Sequence, residues 1–304
     1  MRIEQRGAAI VLAMGVVAVA ALAAAAIMVS QSVWSRHSQL AGDYVQAQVM
    51  VQAGVDWIRA VLSDDRRMGN VDHPGEPWAQ QLPAMPIDNG VLTSSIDDQQ
   101  GLFNLNNLVQ DGKANLVQLA HFKRLLALLD LPDTLGNTLV DWLDADSEQH
   151  PQYGAEDEYY LVSGPPYLAA NRTLTDMSEL AQVRGFDSAT RARLRSFVTA
   201  LPDLTVVNVN TAPPEVLSAV IGGLGIGNAR LLVEQRARAY FRDQADFFNR
   251  LPEGTLIDEG DIGVSSDYFL ATLRVTIGEA QAQGRVLLAR VGPGWPAIVW
   301  RKYQ

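Results

Sequence analysis

The longest apolar stretch in the chain comes first. From Ala8 to Val29, 22 consecutive residues are apolar, and no charged side chain occurs between Arg6 and Arg36. At about 1.5 Å per residue, such a helix spans roughly 33 Å, enough to cross a hydrocarbon core. The pattern then narrows to a stripe: Leu40, Tyr44, Ala47, Val51, Val55, Ile58 and Leu62 recur at spacings of three and four, while Gln46, Gln48, Gln52 and Arg59 fall on other faces. That period belongs to an amphipathic helix. One helix is therefore predicted over 8–63, in the membrane over 8–29 and beyond it from 30 to about 66. The segment 73–86 holds Pro74, Pro77, Pro83 and Pro86 and reads as loop. Strands are predicted at 91–97, 267–277, 284–291 and 297–302, with short Gly- and Pro-bearing turns between the last three. Between the first strand and the others the pattern is helical, at 113–130, 133–144, 175–183, 188–199, 213–221, 227–239 and 243–250. The expected fold class is α+β. The long helix packs on one face of a small antiparallel sheet (67–104 and 256–304), and an all-α domain, 105–255, is inserted in that sheet.

Composition narrows the function classes. The chain has 304 residues, 24 basic and 34 acidic side chains, a formal charge of −10 and no cysteine. An acidic chain is a poor bulk binder of nucleic acid or anionic lipid. The absence of cysteine excludes a disulfide scaffold, a thiol nucleophile and a Cys-ligated zinc site. His37, His73, His121 and His150 are scattered without zinc spacing, and neither G-x-S-x-G nor a P-loop occurs. No enzyme activity is expected.

The negative charge is concentrated. DWLDADSEQHPQYGAEDEYY (141–160) holds seven acids and no Lys or Arg. Like charges so close repel unless solvated or neutralised. Asp141 and Asp144 lie three apart on one face of a helix end. Asp146 and Glu148 follow in a loop, and Gly154 lets the chain turn back with Glu156 and Asp157. Oxygen ligands in a flexible loop suit Ca²⁺. The spacing is not that of an EF-hand, since Gln149 and Ala155 stand where the turn glycine and the last carboxylate belong. A solvated acidic loop is the plain alternative, but Trp142, Tyr153, Tyr159 and Tyr160 are interleaved with the acids. A glycosidase-type carboxylate pair fits less well, because so many neighbouring acids favour a metal. A sparser acidic group, Asp258, Glu259, Asp261 and Asp267, makes Asp258, Asp261 and Asp267 candidates for a second metal site, with a solvated loop as the alternative.

The helical insert contains an echo. FNLNN (103–107) resembles VNVNT (207–211), and each is followed by a helix, a tight turn and a second helix. The second copy, with Gly223, Gly225 and Gly227, resembles a helix-hairpin-helix motif, whose turn can offer backbone N–H groups to a phosphate. A membrane-anchored DNA receptor would combine such a motif with an anchor. Charge argues against that reading. Residues 204–252 hold five arginines against four acids, and the first copy has no Lys or Arg from Leu125 to Tyr160. Phosphate binding draws most of its affinity from basic contacts. The hairpins therefore read as packing units.

The N-terminal flank carries Arg2, Glu4 and Arg6, which orients the N-terminus to the cytoplasm and the globular part to the far side of the membrane. A cleaved secretory signal would have a shorter apolar core, and a plain signal anchor would need no processing. Arg6-Gly7-Ala8 also fits a prepilin-type leader of residues 1–7, cut between Gly7 and Ala8 and leaving the apolar helix intact. Pilins and most pseudopilins carry glutamate at the fifth mature position, where this chain has Leu12. A carboxylate in the membrane costs about 2.5–3.5 kcal/mol unless paired. Leucine there suits a subunit with no neighbour above it.

Together the Arg6-Gly7-Ala8 junction, Leu12, the long helix, the helical insert, DWLDAD…GAEDEYY and NVNTAPPEVL (208–217) resemble the K-type minor pseudopilins of bacterial type II secretion systems. The resemblance covers essentially the whole chain. It implies a pseudopilin fold, cleavage after Gly7 by the prepilin peptidase and N-methylation of Ala8. It also implies assembly with I- and J-type minor pseudopilins at the tip of a periplasmic pseudopilus that supports export of folded proteins. Family members bind calcium in the inserted domain, which would place ligand roles on Asp141, Asp144, Asp146, Glu156 and Asp157.

Overall fold

A computed structural model describes residues 4–80, 84–87, 89–162, 164–255, 259–292 and 294–304. The first helix, α1 (Glu4–Met68), is 65 residues long and continuous through the Gly7–Ala8 junction. It extends about 100 Å at 1.5 Å per residue. Its large apolar side chains from Ile10 to Val29 are more than half exposed, which is consistent with a membrane anchor. In its distal part Ala47, Val51, Val55, Ile58 and Leu62 are buried, and these are the sheet-facing members of the predicted stripe.

They pack on a five-stranded antiparallel sheet made of β1 (Met85–Ile87), β2 (Gly90–Asp98), β3 (Tyr268–Ile277), β4 (Ala280–Ala289) and β5 (Ala297–Tyr303), in that spatial order. Phe269, Ala271, Leu273, Val275 and Ile277 of β3 alternate toward the helix, joined by Val286 and Leu288 of β4. β1 overlaps the end of the stretch read as loop, 73–86. It is a sheet edge, where the missing N–H of Pro86 can be tolerated. β4 begins four residues before its predicted start, so Gly284 sits within the strand, against Val51. Helix and sheet also approach closely at Gly54, where a Cβ would strike Leu273. Replacing Gly54 by valine should overpack this contact and cost about 1–3 kcal/mol. A denaturant midpoint equal to that of the parent would contradict this packing.

The chain leaves the sheet after Asp98 and returns at Tyr268. Within this excursion run α2 (Leu116–Leu128), α3 (Thr134–Leu143), α4 (Asp157–Leu161), α5 (Ser188–Leu194), α6 (Pro214–Val220), α7 (Gly225–Arg238) and α8 (Gln244–Asn249). Predicted helix 175–183 is a 3₁₀ turn at Met177–Gln182. Predicted helix 188–199 stops early because Val198 and Thr199 pair with Phe103 and Asn104 as a short parallel ladder. Helices α2 and α6 form the contact between the hairpins α2–α3 and α6–α7.

The sequence echo has a structural cause. Asn104 Oδ1 accepts from Asn106 N at 3.1 Å, and Asn208 Oδ1 accepts from Asn210 N at 2.9 Å. The second asparagine of each pair then pins a distant backbone segment. Asn106 bonds both N and O of Leu174, and Asn210 bonds both N and O of Phe241. Buried amides with both ends satisfied hold loops that apolar contacts alone would leave free to slide.

A buried ionic cluster joins the insert to the long helix. Arg290, 1% exposed, donates to Asp65 at 2.6 Å and to both oxygens of Asp72 at 2.5 and 2.7 Å. Asp72 N donates to Val264 O, and Ser266 N donates to Asp72 Oδ2. The insert therefore returns to the sheet beside the C-terminal end of α1, the end farthest from the apolar segment.

Candidate metal centre

The centre is built on the end of α3, whose residues Leu135–Leu143 are all buried. Trp142 packs edge-on against Tyr160 of α4 at 5.0 Å between centroids. This aromatic floor fixes the two carboxylate-bearing segments relative to each other. Asn137 Nδ2 donates to Gln152 O and Thr138 Oγ1 to Tyr153 O, tying the intervening loop back to the helix. Arg184 donates to Gly154 O and stacks on Tyr153 and Tyr159 at 3.9 and 4.3 Å. A Cβ at Gly154 would run into the Asp141 carboxylate and the His150 backbone, so only glycine fits this fold-back.

Asp144, Asp146 and Glu156 converge, with one oxygen from each lying within 4.8 Å of the others. Two oxygens bound to one calcium at about 2.3–2.6 Å can be no farther apart than roughly 5 Å, so the spacing fits a shared ion. Asp144 Oδ1 and both Glu156 carboxylate oxygens are buried without a hydrogen-bond partner. Such groups are costly to bury unless something neutralises them. Burial, together with the neighbouring carboxylates, raises Asp144 and Glu156 to about 7 each. The charges that push them up are neighbouring carboxylates, Asp141 and Asp146 on both, with Asp144 and Asp157 also acting on Glu156. The donor set therefore fits a hard divalent cation.

The other two candidates are placed differently. Asp141 is 1% exposed and accepts from His150 N at 3.1 Å, so it organises the loop from behind the cluster. Asp157 Oδ1 accepts from Ala169 N at 2.8 Å and anchors the following segment. Asn171 was missed by sequence reasoning. Its Nδ2 reaches Asp146 O, and its Oδ1 is buried without a partner. Its positive φ of 48° was the only local hint, and sequence does not display it.

Among the described residues, the second acidic group does not gather. Asp258 lies outside the described residues. Asp261 accepts from Gln118 Nε2 at 2.5 Å, with His121 Nε2 at 3.5 Å, whereas Asp267 faces Arg66 at 3.6 Å. Each has its own partner on a different helix, so Asp261 and Asp267 share no common ligand position.

A pH effect follows from the raised carboxyls. A carboxyl whose folded pKa lies above its unfolded value stabilises the fold below the unfolded pKa, near 4, and loses that contribution as pH rises through the folded value. With Asp144 and Glu156 near 7, the calcium-free protein should melt lower at pH 8 than at pH 5.5. Calorimetry in EGTA tests this, and a higher Tm at pH 8 would contradict it.

The hairpin that resembles a helix-hairpin-helix keeps Arg230 and Arg238 exposed on α7, but not all of its arginines reach the surface. Gly223 and Gly225 adopt positive φ at the head of α7, but Arg236 turns inward to Val209 O at 2.6 Å and Arg124 to Ala219 O at 2.6 Å.

A long N-terminal helix that is apolar at its start, packed distally on an antiparallel sheet with a helical domain inserted, defines a pilin-like subunit. Residues 101–203 and 207–265 match the two domains of the family described as type II secretion system (T2SS), protein K. The chain is 35% identical to type II secretion system protein K of Pseudomonas aeruginosa over 92% of its own length and 87% of the relative's. It is 31% identical to that of Klebsiella pneumoniae, covering 100% and 98%. The fold matches the crystal structure of the GspK–GspI–GspJ complex from enterotoxigenic Escherichia coli with a TM-score of 0.77 at 25% identity, covering 88% of this chain and 99% of that one. The chain belongs to the type II secretion system protein K family.

Proposed function

We propose that this chain is a minor pseudopilin capping the periplasmic pseudopilus of a type II secretion system, in complex with I- and J-type minor pseudopilins. The observation that carries the tip position is the placement of the insert. It is joined to the membrane-distal end of α1 through Arg66–Asp267, Asp72–Val264 and Asp72–Ser266. A subunit stacking from above would meet this domain instead of an open sheet end. Leu12 supports the same reading, because no subunit above supplies an amine for a carboxylate at that depth. The similarity to a GspK–GspI–GspJ structure supports the choice of partners.

The prepilin peptidase cuts after Gly7, Ala8 becomes the N-methylated terminus, and α1 holds the subunit in the inner membrane with its globular part in the periplasm. Removing Arg2, Glu4 and Arg6 takes the formal charge from −10 to −11. Calcium binds at Asp144, Asp146 and Glu156, with Asp141 and Asp157 fixing the two sides of its loop. Its chemistry there is charge neutralisation, which holds the segment between α3 and α4 against the Trp142–Tyr160 floor.

Native mass spectrometry of the membrane extract, with I- and J-type subunits co-expressed, tests the assembly and its processing together. The expected species is a 1:1:1 complex in which this chain has the mass of residues 8–304 plus one methyl group. A chain of full mass, or one recovered without either partner, would contradict the reading.

A further inference from the structure

Where the insert faces the outer surface of the sheet, a groove of about 830 Å³ runs between α5 and strands β2–β4. Its apolar wall includes Ile96, Leu102, Leu180 and Leu270. Its polar wall is basic, with Arg191 and Arg195 from α5 and Arg285 from β4. None of these guanidiniums has a carboxylate within 4.0 Å among the described residues; Arg191 Nε reaches only Asp187 O, at 3.3 Å. By contrast, the neighbouring Lys302 is closed by Asp176 at 2.7 Å. Two acids also line the groove. Asp98 is turned inward, accepting from Thr211, Ser266, Asn208 and the backbone of Gln100. Asp97 accepts from Ser95 at 3.4 Å and faces Arg285 without reaching it.

We propose that this groove binds an acidic, partly apolar polypeptide segment of another protein. The argument is complementarity. In a chain with formal charge −10, three arginines with no ion pair among the described residues collect on one concave surface beside the half-buried side chains of Ile96, Leu102 and Leu270. A guanidinium fork binds carboxylates in two-point geometry, and arginine beside apolar surface recurs among residues that dominate binding energy. A small inorganic anion would satisfy the arginines but leave the apolar wall wet. A basic segment would face like charge. The site is separate from the calcium centre and does not depend on it, because none of Asp144, Asp146 and Glu156 lines the groove.

The test is a selection of random decapeptides displayed on phage against the full chain in detergent micelles. A triple variant, Arg191→Glu, Arg195→Glu and Arg285→Glu, serves as counter-target after circular dichroism has matched its fold to the parent. A double variant, Arg191→Gln with Arg195→Gln, repeats the comparison if the triple one does not fold. Enriched peptides should carry two or more Asp or Glu residues beside Leu, Ile or Val, and should lose at least tenfold in affinity on either variant. Millimolar inorganic phosphate should displace them only partly. No enrichment, peptides without an acidic excess, equal binding by the variants, or complete displacement by phosphate would each overturn the proposal.

Discussion

Replacing Arg290 by alanine is expected to be among the most damaging single changes in the globular part. The guanidinium is 1% exposed and lies against Asp65 and Asp72, which are themselves nearly buried. It also donates to Ser266 O at 2.8 Å and covers the Phe269 ring at 4.6 Å. Removing it leaves two carboxylates facing each other without a counter-charge. Breaking a buried pair from one side costs about 3–5 kcal/mol, far more than the pair is worth against a well-packed apolar replacement. The loss falls where α1, the returning insert and β4 meet. The variant should therefore loosen the insert as well as the sheet, read as a lower urea midpoint with increased proteolysis around 264–267. Lysine should rescue only partly, because one ammonium cannot reproduce the fork that reaches Asp65 and Asp72 together. An alanine variant with the parent's midpoint would mean that the cluster contributes no net stability.

The second large effect is expected from calcium. A ligand that binds only the folded state stabilises it by about 2.7 kcal/mol at a hundred times Kd and about 4.1 at a thousand times. Millimolar calcium should therefore raise the Tm of the parent by several degrees. Asp144→Ala combined with Asp146→Ala should abolish that rise. Glu156→Gln alone should weaken it strongly, since it removes the charge of a carboxylate whose two oxygens are both buried without partners. The double variant should also melt at or above the calcium-free parent, because it relieves the crowding of like charge around Glu156. A full calcium-dependent rise in the double variant would place the ion elsewhere.

Much of this was legible in the sequence for a physical reason. Helical and strand periodicities are strong where burial is one-sided, so the long helix and four of the five strands stood out to within a few residues. β1 did not, because three residues containing Pro86 carry no alternation that a pattern can display. The short ladders, such as Phe103–Asn104 with Val198–Thr199, depend on partners nearly a hundred residues away. The acidic segment was visible as composition, but sequence could not distinguish its roles. Asp144, Asp146 and Glu156 converge, while Asp141 and Asp157 bind backbone amides. That division is set by where α3 ends and by the fold-back at Gly154. The Arg290 cluster left no trace in local sequence, since Asp65 and Asp72 lie more than two hundred residues away from it.

The position at the pseudopilus end is the central claim, and electron microscopy tests it most directly. The chain has no cysteine, so a single one introduced at exposed Glu158 of the insert can carry one gold particle. On pseudopili assembled with the full set of subunits, the account predicts gold at one end only. Gold spaced along the length would contradict it.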